Sequence, residues 1–359
     1  MKKCYNFFIL VILFCSTIFA QLSSTRKPDA LMLRFPDVST NKIVFVYSGD
    51  IWTVSKEGGI ASRLSTAKGM EYLPKFSPDG KWIAFTGNYD GNMDVYVIPS
   101  VGGVPKRLTH NPMIDYMVGW YPDGKSILYR SGMYSPSNRF NRLFKESVDG
   151  GLPEQLPMKI AEIGSFNSDA SKLVFETASL EFRTWKRYRG GWASKLWIYD
   201  LKNNTAEQIT FDNAMDALPM WHGNMIYFLS DRDENKKNNI WAYDLNTKQF
   251  REITHFTDYD IKWPSLGPDE IVFEKGGEIF LLDLVTEKSH PVDIEVPADL
   301  PQDRPQLKNL SGLINDFSLS PSGKRALFGA RGEVLTVPEK NGSIQNLTNT
   351  SGIAERFPA

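Results

Sequence analysis

The stretch Phe76-Ser77-Pro78-Asp79-Gly80-Lys81-Trp82-Ile83-Ala84-Phe85 decides the fold, because the chain repeats it. Proline presets φ at the first turn position, aspartate bonds back to the turn backbone, and glycine accepts the positive φ that other residues resist. Each copy therefore predicts a tight turn that leads into an apolar strand. Clear copies begin at Tyr121, Gly267 and Ser320, and degenerate copies begin at Asn167 and Trp221.

Three further parts follow each copy of this turn and strand. A second alternating strand carries an aromatic residue or leucine, a polar turn follows, and a short strand such as Lys106-Arg107-Leu108-Thr109 completes the unit. Four strands in roughly 40–45 residues are typical of one β-propeller blade, and a lone blade cannot bury its two apolar faces. The sequence therefore predicts an all-β propeller of four-stranded blades. The aromatic or leucine positions recur at Trp52, Tyr96, Phe144, Trp197, Trp241, Phe280 and Leu335.

The repeats also predict the domain organisation. Six units occupy residues 31–292 and indicate a six-bladed β-propeller. Residues 293–305 break the rhythm with three prolines and four acidic side chains, which is typical of a linker. Residues 306–359 hold a seventh unit and the opening of an eighth, so we expect the first blade of a second, truncated propeller. A single seven-bladed propeller is the alternative.

The N-terminal segment differs in composition from the repeats that follow it. Lys2 and Lys3 precede an apolar run over residues 7–20, which predicts a secretory signal peptide at residues 1–20 and an exported, periplasmic protein. An uncleaved anchor is the alternative. Both cysteines, Cys4 and Cys15, lie in this segment, so the mature chain would depend on core burial rather than disulfides. The formal net charge of −1 gives no reason to expect nucleic acid as a partner.

Most catalytic and metal-binding patterns are missing from the sequence. It contains no His-Glu-x-x-His, no Gly-x-Ser-x-Gly and no phosphate-binding glycine-rich loop, so we assign no catalytic residue, metal ligand or cofactor. His110 and His255 occupy the same repeat position, which favours a structural or surface role. Residues 90–94 and 231–235 resemble calcium loops in their acidic spacing but lack the closing glutamate. We interpret both as turns between blade strands.

One insertion is a candidate substrate-binding segment. Residues 181–192 interleave four basic side chains with four aromatic ones, where other blades have a short hairpin. Cations alternating with aromatics can hold an anionic or peptide ligand by ion pairs and cation–π contacts. An extended hairpin packed on a neighbouring domain is the alternative, and we expect removal of charge at Arg187 and Arg189 to change stability little. The candidate substrate-binding residues are Arg183, Lys186, Arg187, Tyr188 and Arg189.

The same insertion resembles the tricorn protease family. Trp185-Lys186-Arg187-Tyr188-Arg189-Gly190-Gly191, followed by Lys195-Leu196-Trp197-Ile198, is similar to that family's Trp-Lys-x-Tyr-Arg-Gly-Gly segment and the strand after it. Residues 254–259, 275–280 and 299–304 are similar to later parts of its first propeller and to the crossing into its second. His110 to Tyr116 departs from the family by lacking an arginine pair suited to a peptide carboxylate.

The resemblance implies a six-bladed propeller, a seven-bladed one and then a catalytic half with a serine peptidase core. The propellers would be non-catalytic gated passages for oligopeptides, in a protein that forms a homo-oligomer. We therefore expect this chain to channel oligopeptides toward its own C-terminal catalytic half. A stand-alone periplasmic propeller of the TolB type and the propeller of a prolyl-peptidase-like enzyme are the alternatives. The sequence beyond Ala359 would discriminate among the three.

Overall fold

The structure, a computed structural model, describes residues 30–137, 140–179, 188–297, 307–350 and 353–359. The described residues up to 297 belong to one compact unit and those from 307 onwards to a second. Apart from one short 3-10 helix, the regular elements of these residues are β-strands. Within them, no helix is long and apolar enough to cross a membrane.

The first unit contains six four-stranded antiparallel sheets, which we call blades 1 to 6. Within each blade the strands pair in chain order, and we call the first of them the inner strand. Blades 1 to 3 consist of β1 (Arg34–Val38), β2 (Lys42–Tyr47), β3 (Asp50–Ser55) and β5 (Ser62–Arg63); β6 (Glu71–Phe76), β7 (Trp82–Gly87), β8 (Asp94–Pro99) and β9 (Lys106–Arg107); and β10 (Asp115–Trp120), β11 (Ser126–Ser131), β12 (Arg142–Ser147) and β13 (Glu154–Gln155). Blades 4 to 6 consist of β14 (Gly164–Phe166), β15 (Lys172–Glu176), β16 (Leu196–Asp200) and β17 (Thr205–Gln208); β18 (Asp216–His222), β19 (Met225–Ser230), β20 (Asn239–Asp244) and β21 (Phe250–Glu252); and β22 (Ile261–Leu266), β23 (Glu270–Lys275), β24 (Glu278–Asp283) and β25 (Ser289–Pro291).

The repeated turn has the geometry that its residues predict. The N–H of Gly80 donates to the carbonyl of Ser77 at 2.8 Å, and Gly80 has φ +69°. The carboxylate of Asp79 accepts the N–H of Lys81 at 3.1 Å. In the degenerate copy, Ala170 takes the same left-handed conformation with φ +55°. The turn therefore also forms with alanine in place of glycine, although a residue with a Cβ is less favourable than glycine at positive φ.

The core is built from the strand that follows each turn. This second strand carries at least one buried aromatic side chain in every blade, and that side chain packs in a cluster with residues of the preceding blade. The repeat of aromatic residues after each turn is thus explained by packing between blades. These residues are Phe45, Phe85, Tyr129, Phe175, Phe228 and Phe273.

The six blades form a closed ring. Each inner strand contacts the inner strands of both neighbouring blades, including β1 against β22. The chain also closes the ring by a short parallel pair between β4 (Gly59–Ile60) and β26 (Ile294–Glu295), in which the N–H of Ala61 donates to the carbonyl of Glu295 at 2.8 Å. Pro105 and Pro153 stand at the corresponding positions of blades 2 and 3 and have no N–H to donate. Blades 2 and 3 therefore cannot donate the hydrogen bond that Ala61 makes to Glu295.

The second unit contains one further four-stranded sheet. It consists of β27 (Ile314–Leu319), β28 (Arg325–Ala330), β29 (Glu333–Pro338) and β30 (Gln345–Asn346), preceded by the 3-10 helix Ser311–Leu313.

The predicted all-β fold of four-stranded blades is confirmed. The predicted domain boundaries stay predictions. The signal peptide at residues 1–20 and most of the linker at 293–305 lie outside the described residues. Ile294 and Glu295, which the sequence places in the linker, pair with blade 1 as part of β26.

Candidate axial site

A cavity lies on the axis of the ring. Its volume is about 510 Å³, and every inner strand contributes to its lining. Side chains from the repeated turns, such as Pro78 and Pro122, line its outer part. The volume falls within the roughly 300–1,000 Å³ that is usual for small-ligand sites. The ring therefore offers one central site to which all six blades contribute.

One apolar side chain from each blade lines this cavity and packs into the main core cluster. We call these six residues the axial plug. Five of the six are no more than 7% exposed, whereas side chains that lined an open, water-filled channel would be exposed to water. These side chains are therefore packed against protein rather than exposed to water. The axial plug consists of Phe35, Leu73, Met117, Ile163, Leu218 and Trp263.

The backbone of the axial plug is strained in four blades. Phe35, Leu73, Leu218 and Trp263 have φ between +47° and +53°, a region that bulky residues rarely adopt, and each is followed by proline. A shift of strand register occurs at each of these sites, so each is a β-bulge. Each strained residue costs about 1–3 kcal/mol.

Polar groups on neighbouring blades hold the bulges in place. The backbone N–H of Phe35 donates to Glu274 at 2.6 Å, and that of Leu218 donates to Glu176 at 3.0 Å. Glu274 also lies 3.3 Å from the guanidinium of Arg34. Burial raises the pKa of Glu274 to about 7, although the Phe35 N–H and the Arg34 charge oppose that shift. Glu274 therefore joins blade 6 to blade 1 through a group that titrates near neutral pH.

Three of the polar side chains that line the cavity form one cluster. Lys75 donates to the hydroxyl of Ser265, and its Nζ lies 3.6 Å from Oδ1 of Asp37. Ser265 in turn donates to Oδ1 of Asp37 at 2.5 Å, and Oδ2 accepts the N–H of Phe76 at 2.7 Å. Burial raises the pKa of Asp37, and the Lys75 charge opposes that shift. We call Asp37, Lys75 and Ser265 the polar triad.

The polar triad was missed by the sequence reasoning, although the sequence carries a signal for it. Each member follows a bulge residue and its proline: Phe35-Pro36-Asp37, Leu73-Pro74-Lys75 and Trp263-Pro264-Ser265. The three residues thus share one repeat position in blades 1, 2 and 6, which are adjacent around the ring. An alignment of the repeats on their X-Pro dipeptides, rather than on the turn, places these three residues at the same repeat position.

The predicted substrate-binding residues lie elsewhere, in the insertion of blade 4. Arg183, Lys186 and Arg187 are outside the described residues. Tyr188 is 39% exposed, and Arg189 donates to Oδ2 of Asp231 at 2.6 Å. The prediction that these residues bind substrate is untested and stays a prediction.

The contacts of Arg189 differ from those expected of an exposed charge whose removal changes stability little. Its partner Asp231 is 1% exposed, and the other carboxylate oxygen of Asp231 accepts the N–H of Met215 at 2.9 Å. Nearby, the ring of Trp192 stacks on Phe140 with centroids 5.2 Å apart. These two contacts attach the insertion to blade 5 and to the loop of blade 3, so part of it supports the structure.

The two calcium-like segments act as turns whose acidic side chains pair within the protein. Asp94 lies 2.7 Å from Arg107, and Asp231 lies 2.6 Å from Arg189. Among the residues that the structure describes, no group of three or more histidine, cysteine or acidic side chains could hold a metal ion.

Comparison with known proteins gives one consistent match. Residues 30–288 match the family model described as "Tricorn protease N-terminal beta propeller domain". The tricorn protease homolog of Saccharolobus solfataricus is 26% identical over 324 residues, which cover 90% of this chain and 30% of that protein. The crystal structure of the tricorn protease superposes with a TM-score of 0.72 at 25% identity, covering 89% of this chain and 31% of that one. The chain thus spans about a third of the length of these relatives.

Some relatives divide the protein between two chains. A protein of Sulfurisphaera tokodaii named putative tricorn-like protease N-terminal subunit is 27% identical over 172 residues, covering 47% of this chain and 87% of its own length. The same organism has a protein named as the C-terminal subunit. Tricorn homologues therefore occur with separate N- and C-terminal subunits.

Proposed function

This chain belongs to the family of tricorn protease N-terminal β-propeller domains, and on that premise we propose that it gates oligopeptides for a serine peptidase. In this proposal the chain is the non-catalytic propeller region of an exported, periplasmic enzyme. Oligopeptides are its substrates, and a C-terminal catalytic half is its functional partner. Assembly into a homo-oligomer is part of the same proposal.

The axial plug is the observation that carries this proposal. In this proposal the six apolar side chains of the axial plug, one from each blade, form the closure. Such a closure can open by rotation of side chains and relaxation of the bulges, without unfolding a blade. The backbone is strained at four of the six residues of the axial plug. This strain favours a role as a gate, because strained backbone concentrates at sites of switching and binding.

The alternative of a stand-alone, TolB-like binding propeller gains little support. The crystal structure of TolB from Acinetobacter baumannii superposes with a TM-score of 0.51 at 19% identity, a likeness that shows the fold alone. Propellers of this architecture serve many unrelated functions, so the fold does not discriminate between them.

Replacing one side chain of the axial plug by a smaller one tests whether the plug acts as a gate. We expect Leu218→Ala, in the complete peptidase, to raise turnover of a long oligopeptide on the order of tenfold relative to a small chromogenic substrate. A buried leucine truncated to alanine loses about 2–5 kcal/mol of packing, and 1.4 kcal/mol already shifts a closed–open equilibrium tenfold. The measurement is the ratio of kcat/KM for the two substrates.

Leu173→Ala is the matched control, since Leu173 is also buried but packs between blades 3 and 4 and does not line the cavity. We expect it to destabilise the protein without changing the ratio. Equal ratios in the wild type and both variants would contradict the gate, as would equal increases in the two variants.

A further inference from the structure

The ring closes between blades that are far apart in the chain. Blades 1 to 6 follow one another in sequence, so blade 6 meets blade 1 at opposite ends of the propeller sequence. The segment directly after blade 6 joins them, because β26 pairs in parallel with β4, which lies between β3 and β5 of blade 1. We call residues 292–296 the strap. The strap is therefore placed where it can hold the two ends of the propeller together.

The backbone of blade 1 holds the strap as it would hold an added strand. The N–H of Gly59 donates to the carbonyl of Asp293 at 2.8 Å, and the N–H of Ala61 donates to that of Glu295 at the same distance. The approach is close at Gly58, where a Cβ would lie 2.5 Å from the carbonyl oxygen of Asp293. Backbone bonds to a sheet edge are one usual mode of peptide recognition.

The side chains of the strap alternate in the way that this mode requires. Val292 and Ile294 are buried and Val296 packs beside them, whereas Asp293 between them is exposed. The apolar side chains pack into a core cluster to which blades 1 and 6 both contribute. Pockets for alternate side chains give such an edge its selectivity. The cluster includes Trp52 and Val54 of blade 1 and Ile279 and Leu281 of blade 6.

Blades 2 and 3 repeat the hairpin of blade 1 without its capacity to bind a strand in this way. Pro105 and Pro153 stand where blade 1 has Ala61, and proline has no N–H to donate. The residues before them, Val104 and Leu152, are 89% and 93% exposed. Of these three hairpins, the one in blade 1 therefore has the donors that the strap uses.

The strap is held less firmly than the strands of the blade. β26 pairs with β4 over two residues, whereas β2 pairs with β3 over six residues and with β1 on its other side. Segments with few backbone hydrogen bonds open at a lower free energy than the core of a fold. The strap is therefore suited to detach while blade 1 stays folded.

We propose that the edge of blade 1 at residues 58–61 is a binding site for an extended peptide with apolar residues at alternating positions. The strap is its resident ligand, and when the strap detaches the site accepts the same sequence from outside the chain. This inference goes beyond the proposed gating of oligopeptides. The residues of the site are distinct from those that line the axial cavity.

Hydrogen exchange of the unmodified 359-residue chain tests whether the strap detaches. The amides of Gly59 and Ala61 should exchange about tenfold faster, or more, than that of Phe45 in the middle of β2, because local opening exposes them without unfolding the blade. Equal rates would show that the strap is released only when the blade unfolds, and would overturn the proposal.

Binding of a labelled peptide tests the site itself. The probe is a fluorescent peptide with the sequence of residues 291–297, and Ile294→Asp in the chain removes the buried side chain that holds the strap. We expect the variant to bind the probe about tenfold more tightly, or more, than the wild type, in which the strap competes as a tethered ligand. Circular dichroism checks that the variant is folded. Equal binding to both chains, or no binding to the folded variant at millimolar probe, would overturn the proposal.

A second substitution assigns the binding to blade 1. Added to Ile294→Asp, Ala61→Pro should weaken binding of the probe about tenfold, because it removes one backbone donor from the site. Proline occurs at this position in blades 2 and 3, so the hairpin accommodates it. Val104→Ala, in the exposed hairpin of blade 2, is the matched control and should leave the affinity unchanged. Binding that persists undiminished after Ala61→Pro, or that is lost with Val104→Ala, would contradict a site on blade 1.

Discussion

Arg189→Ala should lower the free energy of unfolding by about 3 kcal/mol. The substitution leaves the Asp231 carboxylate, which is 1% exposed, without the guanidinium that lies 2.6 Å from it. Removing one partner of a buried ion pair costs about 3–5 kcal/mol, and the 23% exposure of the Arg189 side chain favours the lower end of that range. Chemical denaturation of the 359-residue chain measures the change.

Arg251→Ala is the matched control for this prediction. Its guanidinium also pairs with a carboxylate, that of Glu287 at 2.5 Å, but the two side chains are 53% and 34% exposed. Exposed pairs contribute about 0–1 kcal/mol, so this substitution should have little effect. Adding Asp231→Asn to Arg189→Ala should recover part of the lost stability, because it removes the buried charge. Equal small effects of Arg189→Ala and Arg251→Ala would show that Arg189 is the dispensable surface charge that the sequence suggested.

Glu274→Gln should stabilise the protein relative to the wild type at alkaline pH, and less so at acidic pH. Burial raises the pKa of Glu274 from 4.5 to about 7, so the folded state holds a proton that the unfolded state has released. The stability that this group contributes is full below about pH 4.5 and is lost as the pH rises through 7. Glutamine cannot ionise, and its amide oxygen can still accept the N–H of Phe35.

The expected size of this effect follows from the shift in pKa. The difference in unfolding free energy, variant minus wild type, should rise by about 3 kcal/mol between pH 4.5 and pH 8, since each unit of pKa corresponds to about 1.4 kcal/mol. The charges that face Glu274 are those of Arg34 and Lys262, and both remain in the variant. Glu207→Gln, at an exposed position of β17, is the control for the loss of one carboxylate. A flat difference for Glu274→Gln would contradict the buried, titrating junction between blades 6 and 1.

The fold was predictable because its determinants are local. Turn residues such as Asp79 and Gly80 act within four residues, and strand alternation is visible over six, so a repeat of both defines a blade without knowledge of the ring. The axial site depends on which side chains meet across the ring. Asp37 and Ser265 are 228 residues apart in the chain and meet only because blade 6 closes against blade 1.

The amino-acid composition of the blade 4 insertion does not assign roles to its residues. Interleaved arginines and aromatics are equally compatible with ligand binding and with attachment to neighbouring blades. The partner of Arg189 lies 42 residues away in blade 5, and no local pattern indicates that Asp231 is buried. The sequence identified the segment as unusual but could not separate its structural residues from those free to bind.

Photo-crosslinking of an oligopeptide tests the central claim, that the axis of this propeller handles peptides. A peptide with a photoreactive residue at its C-terminal end would be irradiated with the 359-residue chain, and the crosslinked positions mapped by mass spectrometry. If the axis handles peptides, crosslinks form at cavity residues such as Trp120 and Trp221, and an excess of unlabelled peptide abolishes them. Crosslinks confined to outer turns, such as the exposed Val101 and Val104, or signals that do not respond to competition, would contradict it.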